Sequence, residues 1–158
     1  MKKLILPLLF AAVIVSCKKE KPATSTPPLT LKSAMLGTWN FESVTTVFRD
    51  TNQAVIHEAT YSNPVGSYYK FNYDGTWGSK FVADTSTGLN NKGLYRTVAD
   101  TGFYLLDTGK FAYSVKCKIY TLTANQFTFS HSRHTVINGV TPVTEEYIFK
   151  LTKQETGY

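Results

Sequence analysis

The chain has 158 residues, a formal charge of +6, 14 % aromatic residues and two cysteines, at positions 17 and 117. Its cations are scattered instead of run together, which argues against a nucleic-acid-binding arm. Two cysteines so far apart give neither a disulfide framework nor a zinc module.

Lys2 and Lys3 precede an apolar run from Leu4 to Val15, followed by Ser16 and Cys17. That order is the layout of a signal peptide. The run is about 12 residues, short of the roughly 20 that a helix needs to cross a bilayer. Ile14-Val15-Ser16-Cys17 resembles the lipobox of bacterial lipoproteins. The resemblance implies cleavage after residue 16, a diacylglyceryl group on the Cys17 sulfur and further acylation of its amine. Two or three chains anchor a protein stably, whereas one does so only marginally.

Residues 17–30 carry Lys18-Lys19-Glu20-Lys21 and a Thr/Ser/Pro stretch, a composition that suits a tether. No Asp follows Cys17, so the inner-membrane retention signal of lipoproteins is missing and the expected location is the outer membrane, facing the periplasm or the cell surface. Loss of Lys2 and Lys3 leaves a formal charge of about +4. With Cys17 lipidated, Cys117 has no disulfide partner, so the domain must rely on its core.

Residues 31–153 read as one all-β domain. The segment Leu31 to Leu36 has helical character and is expected as a short helix or turn plugging one end. Strands follow at Gly37–Phe48, Ala54–Tyr61, Ser67–Tyr73, Thr76–Val82, Gly93–Val98, Gly102–Leu106, Phe111–Leu122, Gln126–His134 and Val143–Leu151. Eight or nine such strands suit an antiparallel up-and-down barrel. In Phe111–Leu122, Tyr113, Val115, Cys117 and Ile119 share one face, which makes Cys117 a core residue.

Face parity fixes two connections. A three-residue loop at Tyr73-Asp74-Gly75 pairs Phe71 with Trp77 and keeps the aromatic set on one face; a two-residue turn would split it. A loop at Ile137-Asn138-Gly139 likewise places Phe129 opposite Tyr147 and Phe127 opposite Phe149. The same face then runs on into His131, Arg133 and Glu145, with His131 opposite Glu145, or Arg133 opposite Glu145 after a two-residue shift. This trio is either the solvated end of a hairpin or a polar rim that orients the charged end of a mostly apolar ligand.

Leu36-Gly37-Thr38-Trp39 resembles the G-x-W signature of calycins and lipocalins, with Gly37 and Trp39 as its core pair. Together with Tyr69 to Thr76, Gly93-Leu94-Tyr95 and Tyr120 to Thr123, the chain from Leu31 to Lys153 resembles the lipocalin-like lipoproteins of Bacteroidetes. The resemblance implies a barrel whose Trp closes one end, covered by a late basic residue, for which Lys150 is the nearest candidate although parity turns it outward. It also implies binding of a small ligand, with no reaction attached.

Chemistry sought independently of the resemblance gives no enzyme. Asp100-Thr101-Gly102 and Asp107-Thr108-Gly109 repeat the D-T-G of aspartic proteases, but two turns this close in sequence do not form that symmetric pair. His131 and His134 point to opposite faces of a strand, and no cofactor or metal is expected. Glu145 and Glu146 diverge in the same way.

Two readings remain. One is a monomeric, lipid-anchored carrier of an apolar or amphipathic molecule held between Tyr69, Phe71, Trp77, Tyr113, Phe129 and Tyr147. The other is a ring-filled scaffold that docks another envelope component, with Tyr68, Tyr104 and Tyr120 as candidates for an exposed contact patch.

Overall fold

The computed structural model describes residues 30–62, 65–83, 86–108 and 114–155. The expected signal peptide, Cys17 and most of the expected tether lie outside these residues, as does Tyr113.

A short helix, α1 (Leu31–Met35), opens the domain. Thr30 caps it, its Oγ1 accepting from the Ser33 N–H at 3.2 Å. Nine antiparallel strands follow: β1 (Gly37–Arg49), β2 (Val55–Ser62), β3 (Tyr68–Phe71), β4 (Thr76–Ala83), β5 (Ser86–Val98), β6 (Gly102–Asp107), β7 (Ser114–Leu122), β8 (Gln126–Ile137) and β9 (Thr141–Lys153). β1 pairs with β9, so β1 and β3 to β9 close an eight-stranded up-and-down barrel. β2 is the extra strand: it lies beside the later half of β1, in line with β3, which takes the earlier half. The all-β expectation and the short N-terminal helix hold.

α1 sits at one end of the barrel, with the Tyr73–Gly75, Ala99–Thr101 and Thr123–Asn125 connections; the other end is the mouth. The α1 end is solid. Met35, Trp39, Phe71, Phe103, Cys117, Phe127, Phe129 and Leu151 are all essentially buried. Their rings meet in edge-on and tilted pairs, Trp39 edge-on to Phe127 at 5.3 Å and Phe71 edge-on to Phe103 at 5.8 Å. Burial pushes the Cys117 thiol up to about 12, leaving it a small apolar core group.

Bulges reset parity where needed. The register shift between Phe41 and Ser43 lets both Phe41 and Val44 contribute to the core, with Glu42 turned to solvent. A second, between Ile119 and Thr121, leaves Tyr120 unpaired and exposed.

The Tyr73–Gly75 loop is as expected: Phe71 pairs with Trp77, and Gly75 takes a φ of +86°. The β8–β9 register differs from expectation by two residues. Phe129 faces Phe149, Phe127 faces Leu151, His131 faces Tyr147 and Arg133 faces Glu145. Asn138 and Gly139 both adopt positive φ and the Val140 N–H donates to the Ile137 carbonyl, so the ladder resumes at Ile137 and Thr141. Moving the loop one step along the chain shifts each pairing by two and preserves every face.

β5 is also longer than its expected Gly93–Val98. Its earlier residues, Ser86 to Lys92, are mostly polar and lack a strand pattern; pairing with β4 makes them a strand.

Candidate functional site

Above the ring-filled half, the barrel opens into a cavity of about 1210 Å³. Its apolar wall is Phe41, Val44, Tyr69, Phe81, Val115 and Phe149, and its polar edge includes His131, Arg133 and Tyr147. The β7–β8 ladder ends at Cys117 and His131; the cavity lining continues past that end to Lys116 and Ser132 and also takes in Lys118 and Ser130, a pair within the ladder.

The polar edge is tightly organised. Arg133 donates from Nε to Glu145 Oε2 at 2.6 Å and from a terminal nitrogen to the Tyr147 hydroxyl at 3.1 Å. Tyr147 in turn donates to Glu145 Oε1 at 2.5 Å. The Glu145 residue is only 6 % exposed, so both carboxylate oxygens are satisfied where water is scarce. Burial alone would raise its pKa, but the hydrogen bonds from Tyr147 and Arg133, with the Arg133 charge, outweigh it and hold the carboxyl below its ordinary range. Arg133 keeps its side chain 64 % exposed: it is oriented by two partners yet open to the mouth.

His131 lies under this trio, its ring 5.3 Å from Tyr147 and 5.4 Å from Phe149. Burial and then the Arg133 charge lower its pKa, against the pull of Glu145, so it is a neutral imidazole at pH 7. The edge therefore presents an oriented guanidinium beside an uncharged ring.

Glu146, one residue on, points to the other face, where it accepts from Ser130 at 2.8 Å and Tyr120 at 2.9 Å and pairs with Arg49 at 3.5 Å. The two glutamates serve separate networks, as strand alternation requires. His134 is likewise exposed and lies within 3.3 Å of the Thr144 hydroxyl, away from His131.

Of the residues expected to contact a ligand, Tyr69, His131, Arg133 and Tyr147 line the cavity, with Glu145 directly behind them. Phe71, Trp77 and Phe129 do not line it: they are packed into the solid half, with Trp77 Nε1 donating to the Leu106 carbonyl at 3.4 Å. The sequence reading placed all the inward rings at one level because parity gives the face of a residue and not its height along the barrel. Phe41 and Phe81 were missed as cavity residues; the first lies next to a bulge that strand alternation hides.

At the closed end, Trp39 Nε1 donates to the Met35 carbonyl at 2.7 Å, tying α1 to β1. The residue over Trp39 is Lys153, its Nζ 4.2 Å from the ring centroid and donating to the Leu36 carbonyl. Lys150, the expected candidate, is exposed on the outward face. Lys153 shares the inward parity of Phe149 and Leu151.

A scan of the chain against protein-family models and a search of curated proteins return no match.

Proposed function

We propose that this chain is a lipocalin-like lipoprotein, anchored through Cys17 to the outer membrane, whose barrel carries one small, mostly apolar ligand with an anionic end. The observation that carries the reading is the division of the barrel: rings fill the end near α1, while the mouth half holds an open cavity of about 1210 Å³ with an oriented Arg133 at its edge. A mostly apolar wall with a few convergent polar groups is the usual form of a small-molecule site. An apolar tail fits against Phe41, Tyr69, Phe81 and Phe149, and an acidic head meets the exposed side of Arg133.

Lys153 over Trp39 supports the lipocalin-like reading, since a late basic residue covering the first-strand Trp is the arrangement that the resemblance implies. The domain assignment is then 1–16 signal peptide, 17–30 lipidated cysteine and tether, and 31–153 barrel, with no catalytic role.

The test is native mass spectrometry of the protein purified from its own envelope. A reproducible small-molecule adduct that is lost in Phe149→Ala or Arg133→Ala supports a carrier. A clean apo mass favours the scaffold reading, for which the ring-filled half is the supporting observation. For the anchor, Cys17→Ala is expected to accumulate as an uncleaved, unlipidated precursor; normal maturation of that variant would refute it.

A further inference from the structure

The cations that are scattered along the sequence are gathered by the topology. Lys70, Lys80, Lys92, Arg96, Lys116 and Lys118 lie in β3, β4, β5 and β7, and every one is exposed. Strand pairing sets them in rows: Lys70, Gly78 and Lys92 lie side by side, as do Arg96, Tyr104 and Lys116. Gly78 has no side chain, so its two flanking lysines border a shallow groove of about 560 Å³.

Acidic residues are sparse on this face, Glu146 of β9 reaching its β7 edge at Tyr120. Between Tyr68 and Leu122 the sequence contains no Glu, and its Asp residues are at 74, 84, 100 and 107. Asp74 and Asp100 lie in turns, Asp107 ends β6, and Asp84 is outside the described residues. The ion pairs formed among the described residues, Arg49 with Glu146 and Arg133 with Glu145, involve none of the six cations.

β5 adds a second pattern. Its outward positions read Lys92, Leu94, Arg96, Val98, with Leu94 47 % and Val98 40 % exposed. Two tyrosines lie beneath cations of the same face, Tyr104 under Arg96 at 5.5 Å and Tyr120 under Lys118 at 4.7 Å.

From this arrangement we infer that the outward face centred on β5, with β4 and β6 beside it and the cations of β3 and β7 at its flanks, docks on an anionic lipid bilayer. A polyanion such as nucleic acid or acidic polysaccharide would meet the cations but leave Leu94 and Val98 in water. A bilayer offers a layer of negative charge over an apolar interior, matching the alternation of cation and apolar side chain along β5. The barrel then lies on its side, with its mouth opening parallel to the membrane. The inference rests neither on a ligand in the cavity nor on lipidation of Cys17.

The experiment uses the chain from Lys18 to Tyr158, which lacks Cys17 and keeps every described residue. It is sedimented with phosphatidylglycerol-rich vesicles and with vesicles of phosphatidylcholine alone. Binding is expected to the first only, and to weaken as salt rises. Lys92→Gln with Arg96→Gln should lower the partition coefficient about thirtyfold, at about one surface cation's worth of attraction each. Leu94→Ser with Val98→Ser should lower it as well, whereas Lys150→Gln on β9 should leave it within about twofold. Near-UV circular dichroism confirms that each variant is folded. Equal binding to both vesicle types, binding to neither, indifference to the β5 substitutions, or retention by an acidic polysaccharide without vesicle binding would each overturn the inference.

Discussion

Lys153 and Trp39, from the last and first strands of the barrel, meet at its closed end with the ammonium 4.2 Å from the ring centroid. The contact joins β9 to β1 where the cylinder shuts, and the same lysine donates to the Leu36 carbonyl at the end of α1. One side chain thus links the helix, the first strand and the last.

Trp39 is fully buried, and Trp39→Ala is expected to destabilise the domain by about 3–5 kcal/mol. Lys153→Met, which keeps an apolar stem but removes the charge, should lose about 1–2 kcal/mol. Urea unfolding followed by fluorescence measures both. A loss within about 0.5 kcal/mol for Trp39→Ala would mean that the ring does not close the core.

At the mouth, Arg133→Ala strands a carboxylate that is almost wholly buried, with Tyr147 as its remaining hydrogen-bond donor. The expected cost is about 1–3 kcal/mol. Combining it with Glu145→Gln should cost clearly less than the sum of the two single changes, because the double variant has no buried charge left to satisfy. Additive effects would show that the pair is not coupled.

His131 sets a pH dependence. Its folded-state pKa lies below the ordinary value of 6.5, so near and below that pH the unfolded chain binds a proton that the folded state resists. Its contribution is complete above pH 6.5 and declines as the pH falls toward the folded value, with a slope of at most about 1.4 kcal/mol per pH unit. Glu145 acts in a lower window: its pKa is lowered from 4.5, so its stabilisation is present above that value and lost as pH falls through the folded pKa. Unfolding free energies of the wild type and His131→Phe between pH 8 and 5 separate the two. The variant should be the flatter, and parallel curves would rule out the assignment.

Gly93→Ala tests the barrel wall. A Cβ at this position would stand 1.9 Å from the Leu106 carbonyl oxygen and 2.9 Å from Trp77 Nε1, so β5 and β6 must move apart. The expected loss is at the upper end of the overpacking range, about 3 kcal/mol. Gly78→Ala, whose added carbon meets only ordinary contacts, is the matched control. Equal effects at the two positions would contradict the register between β5 and β6.

Much of the fold was legible in the sequence because side-chain alternation in a strand has a fixed period. Parity alone put Phe71 opposite Trp77, buried Cys117, turned Lys150 outward and split Glu145 from Glu146. Parity cannot see a bulge, a loop that starts one residue later, or the height of a ring inside a barrel. Those decided that Arg133, and not His131, faces Glu145, that Phe129 is core while Tyr69 lines the cavity, and that Phe41 and Val44 both contribute to the core. The charge face was equally hidden: Lys70 and Lys92, and likewise Arg96 and Lys116, are far apart along the chain and fall into rows only when β3 to β7 pair in order. Alternation is a local property that the sequence determined by itself, whereas closure, register and shared surface arise only when distant strands hydrogen-bond to one another.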